Sequence, residues 1–253
     1  MGPIQTLGKE TSVSSKLEIS HCAVFGAAQG IGAEISAYLR DHGSSFLLLL
    51  DRNERFTEST APRSQSGEYL LRADVSQKGE LERALHHVSP QTLDLVVLSA
   101  GIRSDDEADM RRVNADGVRN ALEAIAPLMK KAGLVILVSS DYFNVNPTEP
   151  YAKSKLEGAL HALHIAEKHA NNFRVLILLP GPVRTALFER GKPPALLERI
   201  EAEDGILSTK QFCDMLFTEV IPQFINRPSG SVVAMYKHAG ITWAAGLQRP
   251  RAE

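Results

Sequence analysis

The stretch His21-Cys-Ala-Val-Phe-Gly-Ala-Ala-Gln-Gly-Ile-Gly32 decides the fold. Cys22 to Phe25 is an apolar run of strand length, and it enters glycines at 26, 30 and 32. Beyond them Ile31, Ile35 and Leu39 recur at i, i+4, i+8, the spacing of one helix face. Strand, glycine-rich turn and helix are how a backbone approaches a pyrophosphate and offers it a helix N-terminus. Gly26 allows the tight turn, Gly30 the close approach to phosphate, and Gly32 the contact of helix on strand. Alone, such a turn is more often an ordinary strand-to-helix connection.

The neighbouring sequence changes that. A second apolar run, Phe46 to Leu50, ends in Asp51, nineteen residues beyond Gly32. A dinucleotide fold places there the acid that binds the adenosine ribose hydroxyls. Leu71-Arg-Ala-Asp74-Val75 follows, then a fourth run, Leu93 to Leu98, ending in Ser99-Ala100-Gly101. The pattern predicts seven strands at about 21–26, 45–50, 68–72, 93–99, 133–139, 173–179 and 230–236. Helices are expected at about 30–41, 76–88, 107–131, 151–170, 187–203 and 208–225. Alternation of this kind predicts a Rossmann-like, doubly wound α/β fold with a mainly parallel sheet and helices on both faces. Ligands of such sheets lie outside the C-terminal strand ends, and Gly26, Asp51, Asp74, Gly101, Ser140 and Pro180 all fall just after an expected strand.

Tyr151-Ala-Lys-Ser-Lys155 puts a phenol and an ammonium one helical turn apart on the same face. A free tyrosine loses its proton near pH ~10, and a nearby cation favours the phenolate. The pair can therefore move a proton on or off an alcohol oxygen, although most such pairs are an aromatic packed beside a lysine stem.

Taken in order, Gly26-x-x-x-Gly30-x-Gly32, Asp74-Val75, Ala100-Gly101, Asn114, Ser139-Ser140, Tyr151-x-x-x-Lys155 and Pro180-Gly181-Pro182-Val183-Arg184-Thr185 resemble the motifs of the short-chain dehydrogenase/reductase family. The resemblance runs from roughly residue 20 to 240. It implies an oxidoreductase that moves a hydride between a nicotinamide cofactor and a secondary alcohol or ketone. Tyr151 is then the acid/base, and Lys155 lowers its pKa and holds the nicotinamide ribose. Running tyrosine at neutral pH takes about three pH units, on the order of 4 kcal/mol. Ser140 orients the substrate oxygen, with Ser139 as rival, and Asn114 holds a water beside the lysine. The alternative for Asn114 is a helix-interior polar residue bonding backbone.

The resemblance also implies a cofactor surface formed by Gly26, Gln29, Gly30, Ile31, Gly32, Asp51, Arg52, Asp74, Val75, Ala100, Gly101, Tyr151, Lys155, Pro180, Gly181, Val183 and Thr185. NAD is expected over NADP: Asp51 suits a ribose diol and repels a 2′-phosphate, and Gln29 is uncharged where NADP-linked relatives often carry a base. Arg52 is the competing feature. The other readings are an NADPH-dependent carbonyl reductase and a redox-silent nucleotide-binding interaction protein on the same fold.

The chain departs from the pattern in several places. Phe25 replaces a usual threonine, and Leu98-Ser-Ala-Gly101 replaces Asn-Asn-Ala-Gly. Twelve residues separate Gly101 from Asn114, and Ser140 lies eleven before Tyr151, both short spacings. Lys237-His-Ala-Gly240 stands where Asp-Gly-Gly is common.

Composition narrows the remaining classes. At 253 residues the chain fits one domain over 20–253, with 1–19 as a polar, flexible leader. A net charge of −2 gives no reason to expect nucleic acid or an anionic membrane as partner. Two cysteines without metal spacing, and no apolar run of membrane-spanning length, predict a reduced, cytoplasmic protein. His161, His164 and His169 lie on one helix with no carboxylate or cysteine completing a set, so no metal is expected. Family relatives commonly associate through helices equivalent to 107–131 and 151–170, so a homo-dimer or tetramer is expected, with Leu156, Leu160 and Leu163 offering apolar spacing. The substrate stays open. Asp141, Asn144, Asn146 and Glu149 point to a polar ligand, while Leu187, Phe188, Leu196 and Leu197 on a lid at 187–203 point to apolar contact.

Overall fold

Aliphatic runs covered on both faces form parallel strands, because every backbone polar group is paired in the ladder while both rows of side chains are buried. In the computed structural model, which describes residues 19–56, 67–244 and 247, seven parallel strands form, most of them covered in this way. They are β1 (His21–Phe25), β2 (Phe46–Asp51), β3 (Gly67–Arg72), β4 (Leu93–Leu98), β5 (Met129–Val138), β6 (Arg174–Pro180) and β7 (Ser231–Tyr236). These seven lie in the order β3-β2-β1-β4-β5-β6-β7, so the chain reverses direction across the sheet between β1 and β4. That reversal opens the crevice where such folds bind ligands. The expected leader, apart from residue 19, lies outside the described residues.

The sheet has eight strands rather than seven. After β7 the chain turns through Gly240, whose φ is +69°, and returns antiparallel as β8 (Gly240–Ala244), pairing Val233 with Trp243. This edge strand is short and half exposed, so no apolar run announced it.

Successive strand residues point to opposite faces. Ala23, Phe25, Val96, Leu98, Val135 and Leu137 face one core, closed by α2 (Lys78–Leu85), α4 (Gly117–Ile125) and α6 (Pro150–Lys168). Val24, Leu49, Leu95, Val97 and Ile136 face the other, closed by α1 (Gly30–Asp41), α9 (Thr209–Met215) and α10 (Ile221–Phe224). Phe25, in the threonine's place, is fully buried in the first core. Leu156, Leu160 and Leu163 on α6 are half-buried.

Three expected helices change form, the one over 208–225 running as α9, a π turn over Leu216–Val220, and α10. The one expected over 107–131 begins as α3 (Glu107–Arg111), capped by Asp106, whose side chain accepts from the N–H groups of Ala108 and Asp109. It continues through a π turn, Arg112–Asp116, into α4, and ends in a 3-10 turn, Ala126–Leu128. Pro127 cannot donate to a continuing helix, so residues 129–131 open β5 instead. The lid expected over 187–203 is split into α7 (Ala186–Glu189) and α8 (Pro194–Glu203) around Pro193 and Pro194. A further turn, α5 (Tyr142–Val145), lies between β5 and α6.

The π turn decides where Asn114 sits. Gly158 on α6 lets the two helices touch: a Cβ there would lie 2.2 Å from the Asn114 carbonyl oxygen. On the other side a Cβ on Gly117 would meet Val75 at 2.6 Å. Asn114 is thus held between α6 and the sheet, facing the strand ends.

Candidate active site

A cleft of about 1050 Å³ runs along the C-terminal strand ends. At its centre is the glycine turn. Gly26 has φ +81°, and a Cβ there would lie 2.5 Å from the Ala100 backbone nitrogen. A Cβ on Gly32 would lie 2.1 Å from the Gly26 carbonyl oxygen, so α1 starts hard against the turn. The Gln29 side chain makes no capping bond, which leaves the first-turn N–H groups of a twelve-residue helix facing the cleft. Thr185 closes over the turn, its Cγ2 3.3 Å from where a Gly30 Cβ would be, while its hydroxyl caps α7 by accepting from Phe188 N. A concave, side-chain-free backbone at a helix N-terminus fits a pyrophosphate.

To one side, Asp51 ends β2 with both carboxylate oxygens engaged: Oδ2 accepts from Ala28 N at 3.0 Å and Oδ1 from Asn53 N at 2.9 Å. These bonds fix its orientation and leave lone pairs toward the cleft. Arg52, also on the cleft, pairs with Asp74, Nη1 to Oδ2 at 3.6 Å. Asp74 Oδ1 also accepts from Ser76 N. Val75, Ala100, Pro180, Gly181 and Val183 complete the walls. Gly181 must lack a side chain, since a Cβ would meet the Tyr236 ring at 2.4 Å.

At the other end of the cleft lie Tyr151, Ser140 and Lys155. Ser139 and Ser140 part company where β5 ends. Ser139 Oγ donates to the Lys155 carbonyl at 3.1 Å and is buried, whereas Ser140 Oγ accepts from Tyr142 N at 3.2 Å and lies on the cleft near the Tyr151 phenol. Burial pushes the Tyr151 phenol above its usual 10; the Ser140 hydroxyl and the Arg103 charge oppose this, and Glu149 adds to it. The cation expected to act on the phenol was Lys155, yet here it is Arg103. Lys155 Nζ donates to Val138 O at 2.8 Å, and burial alone draws its pKa down from 10.5 to about 8.

Asn114 behaves as its backbone-bonding reading expected. Its Oδ1 accepts from Ile102 N and its Nδ2 donates to Ile102 O, both at 2.8 Å, and Nδ2 also donates to Ser154 Oγ. The side chain clamps the strand that leads out of β4. A Cβ on Gly101 would come within 3.2 Å of Asn114 Oδ1 and 3.4 Å of Lys155 Nζ, so this glycine keeps the space between amide and ammonium open.

Of the catalytic and cofactor residues the sequence singled out, Gly32 and Asn114 stand behind the cleft wall and the others line it; of the substrate candidates, Asn144, Asn146, Glu149 and Leu197 do not. The polar hint in 141–149 is largely internal. Asp141 accepts from Tyr236 Oη and from Asn144 Nδ2, Asn146 donates to Tyr142 Oη, and Glu149 caps α6 through Ala152 N. Leu187, Phe188 and Leu196 line the cleft. The residue that sequence reasoning passed over is Arg103. Its signal was its position, two beyond Gly101 at the end of β4.

The family model described as short chain dehydrogenase matches residues 20–194. A Staphylococcus epidermidis protein described as an uncharacterized oxidoreductase is 27% identical over 191 residues, 69% of this chain and 83% of that one. Among solved structures, a short-chain dehydrogenase from Burkholderia cenocepacia in complex with NADP superposes with a TM-score of 0.69 at 20% identity, covering 86% of this chain and 96% of that one. The aldohexose dehydrogenase of Thermoplasma acidophilum, in ligand-free form, gives 0.68 at 18% identity over 85% and 92%. BdcA in complex with NADPH gives 0.66 at 16% identity over 85% and 92%.

Proposed function

The chain belongs to the short-chain dehydrogenase/reductase family of NAD(P)-dependent oxidoreductases, and from that premise we propose that it is an NAD-linked dehydrogenase or reductase of secondary alcohols and ketones. One observation carries this reading: Tyr151, Ser140 and Lys155 line the same cleft as a glycine turn whose backbone suits a pyrophosphate.

A nicotinamide cofactor held at the glycine turn would supply the hydride chemistry, taking a hydride and its electron pair from a carbinol carbon or giving them to a carbonyl carbon. Tyr151 takes the hydroxyl proton in oxidation and gives one to the oxygen in reduction. Ser140 orients that oxygen toward the phenol. Lys155 holds the nicotinamide ribose, its ammonium aimed by the Val138 carbonyl. Asn114 positions the loop at Ile102, and with it the floor beside Lys155.

Asp51 favours NAD. Two backbone N–H groups hold its carboxylate where the ribose diol would donate to it. A 2′-phosphate there would meet a like charge, worth roughly 4 kcal/mol near 4 Å at a surface-like dielectric before screening. Arg52, the residue able to offset this, is drawn toward Asp74. The NADP and NADPH in the solved structures belong to distant relatives. Calorimetric titration of both cofactors on wild type and Asp51→Ala tests the assignment. Wild type should bind NAD at least ~10-fold tighter, and the variant should lose most of that preference. Tighter NADP binding by wild type would overturn it.

A homo-oligomer is part of this proposal, seated on the half-exposed leucines of α6. Light scattering at micromolar concentration should give a dimer or tetramer; a monomer would contradict it.

A further inference from the structure

Arg103 occupies the corner of the cleft where the reacting carbon would lie. Its guanidinium sits 5.4 Å from the centre of the Tyr151 ring and 5.3 Å from that of Tyr142. The backbone beneath it is fixed twice: Asn114 clamps Ile102, and Arg190 Nη1 donates to the Arg103 carbonyl at 3.0 Å. Glu149 Oε1 takes one guanidinium N–H at 3.2 Å, while the other Glu149 oxygen is spent on Ala152 N. A guanidinium has five donors, so most of this fork stays available.

A second cation shares the corner. Lys192 Nζ lies 4.4 Å over the Phe188 ring and donates to the Phe188 carbonyl. Burial and the Arg103 charge both press its pKa down. Among the described residues it has no carboxylate partner. Asp141 is the other acid nearby, but both of its oxygens are taken by Tyr236 and Asn144, and burial raises its pKa. Two half-buried cations, with the exposed Arg190 beside them, therefore face one carboxylate, an arrangement that repels itself unless an anion joins it.

Resting on the oxidoreductase reading above, we propose that the substrate is a hydroxy acid or oxo acid, its carboxylate held by the Arg103 fork with Lys192 in support while its alcohol or carbonyl oxygen meets Tyr151 and Ser140. The excess of positive charge calls for an anion, and the shape of the guanidinium chooses which one. The planar fork matches a carboxylate through paired N–H bonds. Because Arg103 lies over the Tyr151 ring, the carboxylate is close to the reacting carbon.

The test compares lactate and 3-hydroxybutanoate with their methyl esters on the full chain, using wild type, Arg103→Gln and Arg103→Lys. For at least one acid, wild type should show kcat/KM at least ~10-fold above that of its ester, the worth of a charge-assisted bond. Arg103→Gln should bring the acid-to-ester ratio toward one, and Arg103→Lys should restore part of it. Any effect of Arg103 on the Tyr151 proton falls on acid and ester alike, so the ratio isolates recognition. Calorimetry with butyrate against butyramide, in the presence of NAD, reads the same site without turnover. Butyrate should bind better, and lose that advantage in Arg103→Gln. Esters turned over as well as acids, or a ratio indifferent to Arg103→Gln, would overturn the anion site and leave the dehydrogenase standing. No turnover of any alcohol or carbonyl with either cofactor would instead overturn the dehydrogenase, with calorimetry still deciding the anion site.

Discussion

Tyr151→Phe is expected to lower turnover by at least ~100-fold while cofactor dissociation constants stay within about 2-fold of wild type. The phenol lies on the cleft near Ser140 and can both give and take a proton at the substrate oxygen. Phenylalanine keeps the ring that packs against Tyr142 and under Arg103, so the walls persist. The pH dependence should separate the two directions. Burial holds the Tyr151 proton on above pH 10, so alcohol oxidation, which needs the phenolate, should gain steadily in kcat/KM as pH rises. Ketone reduction uses the protonated form and should vary little through neutrality. Steady-state kinetics and cofactor titrations check both; near-normal turnover by Tyr151→Phe would remove the proposed acid/base.

Lys155→Met should make the protein more stable and nearly inactive. Burial lowers the Lys155 pKa to about 8 against 10.5 in the unfolded chain, a cost of roughly 3 kcal/mol at pH 7. The sign follows from proton counts. Below pH 8 both states are protonated and the folded state bears the full penalty. Between 8 and 10.5 the unfolded chain binds more protons, so stability climbs with pH; above 10.5 the penalty is gone. Methionine removes the charge but strands the Val138 carbonyl, returning ~1–3 kcal/mol. The net gain should be on the order of 1 kcal/mol, or about 2–4 °C in Tm at pH 7, shrinking toward pH 10. The same variant should bind NAD at least ~10-fold more weakly and lose at least ~100-fold in turnover. Thermal melts at pH 7 and 10 with a cofactor titration read it, and a destabilised variant that still binds NAD normally would contradict it.

Much of this was legible in the sequence. Phe46 to Leu50 and Leu93 to Leu98 are runs so apolar that only a sheet covered on both faces can hold them. The glycines at 26 and 32 announced contacts that leave no room for a Cβ. What stayed hidden depends on direction and on neighbours far along the chain. Ser139 and Ser140 are indistinguishable in sequence, and only the end of β5 decides which faces the cleft. Asn114 reads as a helix residue until the π turn and Gly158 fix it against Ile102. Asp141 and Glu149 look like ligand contacts until their partners, Tyr236 at β7 and Arg103 beyond β4, are brought to them. β8 carries no apolar run, because one side of an edge strand can face solvent.

Transfer of the hydride itself tests the central claim most directly. The protein would be incubated with NAD and a secondary hydroxy acid deuterated at its carbinol carbon, and the recovered cofactor weighed by mass spectrometry. Reduced cofactor carrying one deuterium, formed by wild type and nearly absent with Tyr151→Phe, is the expected result. Tight NAD binding with no deuterium transferred from this or any other deuterated alcohol would contradict it, and would mark the fold as a nucleotide-binding protein without redox chemistry.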